Sequence, residues 1–152
     1  MNIETRLKEL GFVLPPAPKP AGAYTPVVIS GKLAFVSGQV SKTASWEILK
    51  GKVGAEVNLD SARKAAQTAA LNVLSIAHHL IGCDKIAQLV RVGGFVQATS
   101  DFYDIPKVVD GASELFQQVF GEKGIHARAS VGVASLPMNA SVEIEAVFEL
   151  KS

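Results

Sequence analysis

The segment 126–146 combines one arginine with two carboxylates at spacings that could do chemistry. Arg128 precedes a run of small, apolar residues, and the strictly alternating run that follows carries Glu143 and Glu145. Alternation with a period of two is typical of a strand with one buried face. A cation beside small residues, with carboxylates on a nearby strand, could hold an acid substrate and a water. From spacing alone, an ordinary half-buried hairpin with solvated charges remains the favoured interpretation.

Hydrophobic periodicity predicts the elements that would position these residues. We expect a helix over 3–10, followed by a proline-rich extended arm to residue 20 and a β-hairpin over 27–36. A long helix over 58–82, capped near Asn58, should then lead to a strand over 86–99 with a bulge at Gly93-Gly94. A helix from Pro106 to Gly121 or Gly124 and a closing hairpin over 126–146 complete the chain. Residues 41–57 predict a loop with at most one short strand.

The resulting order, ββ(β)αβαββ, predicts a two-layer α+β domain with two helices packed on one face of a single mixed sheet. The other face of that sheet then has no cover within the chain. Small and apolar residues on such a face favour contact with another subunit, so we expect a homo-oligomer.

Length and composition limit the function classes. A chain of 152 residues predicts one domain, 1–152, with the first 20 residues as an extension. The formal net charge of +1, without a lysine or arginine run, argues against a nucleic-acid partner. The absence of a long apolar run argues against a membrane partner. With Cys83 as the single cysteine, a cytoplasmic location is expected.

Motifs for cofactors and metals are absent from the sequence. It contains no phosphate-binding glycine loop, no dinucleotide fingerprint and no metal-spaced cluster of histidine and cysteine. His78 and His79 are adjacent, so they would point about 100° apart on a helix and could not chelate one metal. We therefore expect no cofactor and no metal.

Particular motifs do resemble a known family. The pattern A-R-x-x-V-x-V-A-x-L-P followed by V-E-I-E-A resembles the Rid family, the reactive intermediate deaminases, also called YjgF-like or "endoribonuclease L-PSP". Gly22-Ala23-Tyr24, the segment 35–40, Phe95-Val96 and Glu114-Leu115-Phe116 agree in the same order. The resemblance covers about residues 20–150.

The resemblance implies a chorismate-mutase-like fold (bacillus type) and a homotrimer with ligand clefts between subunits. It implies a 2-iminobutanoate/2-iminopropanoate deaminase-like hydrolase, which converts enamines and imines such as 2-aminoacrylate to 2-keto acids and ammonia without a cofactor. The partner would be a small metabolite that bears a carboxylate.

Four residues match the family's site by position. Arg128 matches the arginine that holds the substrate carboxylate, and Glu143 matches the glutamate that positions water. Tyr24 matches the cleft tyrosine, and Ser37 matches the serine at the end of the second strand. The resemblance thus implies catalytic roles for Arg128, Glu143 and Tyr24, with Ser37 in substrate binding.

Three positions depart from the family pattern. Ser130 stands where many members have a cysteine, and Asp110 stands where the best-known members have an asparagine. Both are expected to contact substrate, although a carboxylate at 110 would repel an anion if it points inward. His126 replaces a proline that is common before the Ala-Arg pair.

The predicted closing hairpin adds a geometric expectation. If Leu136 pairs with Ser141, then Ala134 faces Glu143 and Arg128 lies six residues farther along the strand. That separation is roughly 20 Å at about 3.3 Å per residue, too far for one small acid to span. We therefore expect the cleft to take Arg128 from one chain and Glu143 from its neighbour. If Arg128 is sealed in an intramolecular ion pair, or if the protein persists as a monomer in solution, this functional hypothesis fails and the predicted fold alone remains.

Two alternatives stay open at this point. One is a small-carboxylate binding or regulatory protein on the same trimeric scaffold, which would keep Arg128 without needing Glu143. The other is the ribonuclease activity that the family label implies, against which the near-neutral charge argues.

Overall fold

The computed structural model describes residues 2–152. One mixed sheet carries the helices on one face. Its strands are β1 (Val27–Ser30), β2 (Leu33–Val40), β3 (Ile86–Gln97), β4 (Ala127–Val133) and β5 (Val142–Leu150), in the spatial order β1-β2-β5-β3-β4. The helices are α1 (Ile3–Glu9), α2 (Leu59–Ile76) and α3 (Ile105–Phe120). The predicted two-layer α+β fold is confirmed, and the helix predicted over 3–10 is present as α1 (Ile3–Glu9).

The first hairpin and the long helix form as predicted. Ser30 pairs with Leu33 around the glycine turn. Asn58 caps α2 by accepting a hydrogen bond from the Ser61 backbone N–H at 2.8 Å. Alanines then give α2 a flat buried surface, and a π-helical turn (Ala77–Ile81) carries the chain to Gly82, which has a φ of 92°.

The predicted closing hairpin is wrong. β4 pairs in parallel with β3, which follows from the crossover through α3, and β5 lies between β2 and β3. The connection between β4 and β5 bonds elsewhere: the Ser141 N–H donates to the Leu49 carbonyl. The Gln97 side chain accepts from the Leu136 N–H at 2.8 Å and donates to Asn139 at 2.7 Å. Ala134 and Glu143 therefore do not face each other.

The bulge predicted at Gly93-Gly94 is also misplaced. Both glycines stay in register with β4 and β5, and the irregularities of β3 lie between Ile86 and Arg91. A Cβ at Gly94 would come within 2.5 Å of the Val109 side chain, and one at Gly93 within 2.6 Å of a Glu145 carboxylate oxygen. The glycines permit close approach on both faces of β3 rather than a bend.

The polar segment 41–57 forms isolated bridges but no strand longer than one residue pair. One bridge joins Val53 to Ala98 at the end of β3. At the N-terminal end of the described chain, α1 buries Ile3 and Leu7. The proline-rich arm that follows crosses α2, where the Ser75 hydroxyl donates to the Pro15 carbonyl. The arm therefore lies on the domain, as the sequence predicted.

The sheet face opposite the helices is uncovered within residues 2–152. Val28, Leu33, Phe35 and Val131 are on this face by their register and are 37–53% exposed. Glu143 and Glu145 stand on the same face because Val142, Ile144 and Ala146 are buried under the helices. We call this surface the open face. Its lack of cover agrees with the expectation; the homo-oligomer itself stays a prediction.

Among the described residues, no helix combines the length and apolarity needed to cross a bilayer. Nor do residues 2–152 bring three metal-ligating side chains together.

Gly111 on α3 lies directly against the backbone of α2. A Cβ there would overlap the carbonyl oxygen of Arg63 on α2. We expect Gly111→Ala to lower the free energy of unfolding by about 1–3 kcal/mol, because α2 and α3 must separate. Urea unfolding followed by circular dichroism measures this, with Gln117→Ala on the exposed side of α3 as the control. A variant as stable as the wild type would contradict the packing.

Candidate functional site

The sheet places the two principal charged candidates on opposite faces. Arg128 pairs laterally with Val92, and Val92 pairs with Ala146, so all three share the helix-covered face. Glu143 is three residues from Ala146 and therefore stands on the open face. Two strand spacings and three residues separate the Cα atoms of Arg128 and Glu143, roughly 14 Å in all. One chain cannot bring both groups to one small acid.

Arg128 is held by α3. Its Nη1 donates to Asp110 at 2.8 Å and to the Ser113 hydroxyl at 3.1 Å. Its Nη2 makes a longer bond of 3.3 Å to the Pro106 carbonyl. Within residues 2–152 the Nε–H has no partner, so one edge of the guanidinium remains available. The Arg128 side chain is 21% exposed and Asp110 is 43% exposed. The ion pair is internal, but it is not sealed.

His126 extends this network behind Arg128. Its Nδ1 lies 2.6 Å from the Gly124 carbonyl, and its Nε2 lies 2.9 Å from the Ser113 hydroxyl. A carbonyl can only accept, so Nδ1 carries the proton and Nε2 accepts from Ser113. The Ser113 oxygen is then oriented to accept from Arg128. Ser113 thus transmits the position of the His126 ring to the guanidinium.

Beside Arg128 lies a cavity of about 650 Å³ between β4, the start of α3 and the end of β3. Ser130, Pro106, Tyr103, Thr99 and Lys52 line it. The Ser130 and Thr99 hydroxyl oxygens are buried and lack hydrogen-bond partners within the described chain. Buried hydroxyls without partners are uncommon, so each of the two would gain from a hydrogen-bond partner.

The second group of candidates surrounds Glu143. A Cβ at Gly38 would come within 3.0 Å of the Glu143 carboxyl carbon, so this glycine makes room for the side chain. Burial, with a smaller contribution from Glu145, raises the pKa of Glu143 above its ordinary value. A carboxyl with a raised pKa is suited to proton transfer near neutral pH.

Ser37 and Tyr24 lie toward the β1–β2 side of the molecule. The Ser37 hydroxyl donates to the Thr25 carbonyl at 2.7 Å, which ties the end of β2 to the residues before β1. Tyr24 is 50% exposed, and its hydroxyl accepts from the Ala21 N–H at 3.2 Å. Its phenol is therefore accessible, as a residue that contacts a ligand must be.

The structure thus separates the candidate residues into two groups, which we call half-site A and half-site B. Half-site A contains Arg128, Asp110 and Ser130, and half-site B contains Glu143, with Ser37 and Tyr24 toward its side of the sheet. Sequence reasoning did not identify Ser113 or Pro106 as partners of Arg128. The i, i+3 spacing of Asp110 and Ser113 places both on one helix face, which was the available signal.

Comparison with known proteins identifies the family. Residues 4–150 match the family model described as "YjgF/chorismate_mutase-like, putative endoribonuclease". The chain belongs to this YjgF family. Protein TCP17 of Trypanosoma cruzi is 38% identical over 153 residues, which cover 99% of this chain and 96% of TCP17.

Two further relatives extend the comparison. The 2-iminobutanoate/2-iminopropanoate deaminase of Dermatophagoides farinae is 33% identical over 134 residues, covering 88% of this chain and 90% of the deaminase. The crystal structure of Atu1372 from Agrobacterium tumefaciens, a protein described as having unknown function, superposes with a TM-score of 0.89 at 45% identity. The match covers 99% of this chain and 94% of Atu1372. The Rid resemblance and the fold class are thereby confirmed.

His126 provides a test of the network behind Arg128. Burial lowers the pKa of His126, and the positive charge of Arg128 adds to that effect against the Gly124 hydrogen bond. Below about pH 6.5 the unfolded chain therefore binds more protons at this position than the folded chain. The free energy of unfolding consequently decreases as the pH is lowered. We expect His126→Gln to flatten the decline in unfolding free energy between pH 7 and pH 5.

For one proton this slope cannot exceed about 1.4 kcal/mol per pH unit. Chemical unfolding at a series of pH values measures the slope. His79→Gln, an exposed histidine on the π-helical turn, is the control and should keep the wild-type slope. An identical slope in His126→Gln and the wild type would show that the imidazole is not coupled to folding.

Proposed function

We propose that this protein is a Rid-type deaminase that hydrolyses 2-imino acids to 2-keto acids and ammonia in clefts between the subunits of a homotrimer. The observation that carries the proposal is the separation of the half-sites. Arg128 with an available edge stands on the helix side, and its carbonyl partner Pro106 lines a cavity there together with Ser130. Glu143 stands on the open face. The deaminase relative at 33% identity supports the same chemistry.

Half-site A would bind the acid. The unpaired Nε–H of Arg128 and one N–H of Nη2 form a planar edge that fits a carboxylate. The Ser130 hydroxyl, buried and without a partner, borders the same cavity and could donate a hydrogen bond to the bound molecule. Lysine could not provide the same two-point fit, so Arg128 would fix the plane of the acid as well as its charge.

Half-site B would supply the proton acceptor. Glu143, contributed by a neighbouring chain, would orient a water molecule toward the imine carbon and take its proton. Tyr24 and Ser37 would border this part of the cleft. Because 2-imino acids also hydrolyse without an enzyme, alignment of water and imine contributes the acceleration that is needed.

Assembly follows from the open face. Apolar side chains at Val28, Leu33, Phe35 and Val131 are exposed on a sheet that no other part of the described chain covers. Burial of such a surface against other copies is favourable. A ring of three copies would give three equivalent clefts, each with both half-sites. A cytoplasmic location stays a prediction.

One observation favours a second candidate, a small-acid binding protein without catalysis. Arg128 already has a carboxylate partner in Asp110, which reduces its attraction for an anion. An arginine paired in this way can still hold a small acid without any reaction taking place, so the pair by itself does not require an enzyme. The two candidates differ in whether Glu143 matters.

Single substitutions decide between these candidates. We expect the wild type to accelerate hydrolysis of 2-iminopropanoate, generated in situ and followed by semicarbazide trapping. Arg128→Ala and Glu143→Gln should each lower kcat/KM by about 10²–10⁴, because the first loses carboxylate binding and the second loses the base. Arg63→Ala, which breaks a surface ion pair with Glu114, should stay close to the wild type. Wild-type protein that gives no acceleration would support the binding protein instead.

Mixed trimers test the origin of the two half-sites. If each cleft takes Arg128 from one chain and Glu143 from its neighbour, then equal co-expression of Arg128→Ala and Glu143→Gln rebuilds about one cleft in four. We expect roughly a quarter of wild-type activity from the mixture and almost none from either variant alone. Sedimentation velocity should show a trimer throughout. An inactive mixture that contains mixed trimers would contradict a shared cleft.

A further inference from the structure

Arg128 uses one of its two terminal nitrogens entirely within the chain. Nη1 donates to Asp110 at 2.8 Å and to the Ser113 hydroxyl at 3.1 Å. Two acceptors account for both N–H groups of that nitrogen, so Nη1 has no donor left for a ligand. The direction in which the other edge, formed by Nε and Nη2, faces therefore depends on the groups that hold Nη1.

The two acceptors at Nη1 differ in how firmly they are held. The Asp110 side chain is 43% exposed, and an ion pair between partly exposed side chains leaves both of them some freedom to move. Ser113 is only 6% exposed and lies on the buried side of α3, so its hydroxyl is the firmer of the two contacts. Arg128 is thereby anchored through a neutral hydroxyl as well as through a charge.

The Ser113 hydroxyl can accept from Nη1 in one orientation only. Its single proton must point away from Arg128, because a guanidinium offers donors and no acceptor. The Nε2 atom of His126, 2.9 Å from the Ser113 oxygen, accepts that proton in a hydrogen bond. Because Ser113 is buried, little water reaches the hydroxyl to replace this acceptor.

His126 can accept this hydrogen bond in one tautomer only, and only when the ring is neutral. The Gly124 carbonyl lies 2.6 Å from Nδ1, which keeps the proton on Nδ1 and leaves the Nε2 lone pair to Ser113. Burial lowers the pKa of His126, so the ring is neutral at pH 7. The donors therefore run in one direction, from Arg128 through Ser113 and His126 to the Gly124 carbonyl, and each link polarises the next.

We propose that Ser113 and His126 are positioning residues that set the affinity of Arg128 for a carboxylate. Neutral His126 orients the Ser113 hydroxyl, and Ser113 holds Nη1 so that the Nε edge is in place before a ligand arrives. Neither residue contacts the ligand. Their contribution is the conformational entropy that Arg128 does not have to lose on binding. The inference rests on the proposed function, and it adds the residues that act through Arg128.

Variants that remove or keep the acceptor at position 126 test the proposal. His126→Phe retains a ring beside Phe116, whose centroid lies 6.2 Å from that of His126, but the new ring offers no acceptor. His126→Gln offers a carbonyl oxygen to Ser113 and an amide N–H to the Gly124 carbonyl. Pyruvate, the 2-keto acid formed from 2-iminopropanoate, is the carboxylate probe. It is titrated into the assembled protein and followed by NMR chemical shifts.

We expect Ser113→Ala and His126→Phe each to weaken pyruvate binding by about tenfold, comparable with the loss of one hydrogen bond to a charged group. His126→Gln should stay within about threefold of the wild type, because the acceptor is kept. Ser75→Ala is the matched control, since it removes another buried helix hydroxyl, which bonds to the Pro15 carbonyl. This control should bind pyruvate as the wild type does.

Several results would overturn the proposal. One is wild-type affinity in both Ser113→Ala and His126→Phe. Another is an equal loss in His126→Gln and His126→Phe, because the ring itself and not its acceptor would then matter. If His126→Phe does not fold, Ser113→Ala, shown to be folded by circular dichroism, decides alone. Failure of the wild type to bind pyruvate would overturn the proposal together with the acid-binding role of Arg128.

Kinetics with 2-iminopropanoate separate this inference from the proposed function. Because Arg128 would hold the carboxylate equally in the substrate and in the transition state, Ser113→Ala should raise KM by about tenfold and change kcat by less than about twofold. A lower kcat at an unchanged KM would contradict the inference in an active enzyme. A wild type that binds pyruvate in a Ser113-dependent manner, but does not accelerate hydrolysis, would support the inference and reject the deaminase.

Discussion

The bond between Arg128 and Asp110 is the constraint on which the proposed cleft depends. It joins β4, the last strand at its edge of the sheet, to α3, and it fixes which edge of the guanidinium can meet a ligand. Ser113 and His126 reinforce this arrangement from behind, with a tautomer set by the Gly124 carbonyl. A long, flexible side chain is thereby held in one orientation, which lowers the entropic cost of binding.

The position of β5 explains why one chain does not bring Arg128 and Glu143 together. Because β5 lies between β2 and β3, its outward carboxylates are near the middle of the open face, whereas Arg128 is at the edge and points to the helices. The pleat of the sheet sends Glu143 and Arg128 in opposite directions. The same pleat places apolar residues around Glu143. The surface that would bind another copy of the chain is therefore also the surface that carries Glu143.

Local patterns predicted the elements well and their pairing less well. Caps, periodicity and turn residues predicted three elements: the helix capped by Asn58, the hairpin over 27–36, and α3 with a proline in its first turn. The prediction of a closing hairpin was wrong because strand pairing depends on residues far away in the sequence. β4 pairs with the edge of β3, and the backbone N–H groups of Ser141 and Leu136 donate to Leu49 and Gln97 instead of forming the expected turn. The sequence indicated Arg128, Asp110 and Ser130 individually, but only the fold shows that α3 brings Asp110 to Arg128.

Arg128 of half-site A and Glu143 of half-site B carry opposite charges when ionised, so bringing two chains together would change the pKa of Glu143. In one chain, Glu143 is partly buried beside Glu145, and its raised pKa records the cost of charging it there. In the proposed trimer, a neighbour's Arg128 would approach that carboxyl, and an opposite charge within a few ångströms lowers a carboxyl pKa. The base would then become ionised when the cleft is assembled and filled, at the stage where a water must lose its proton.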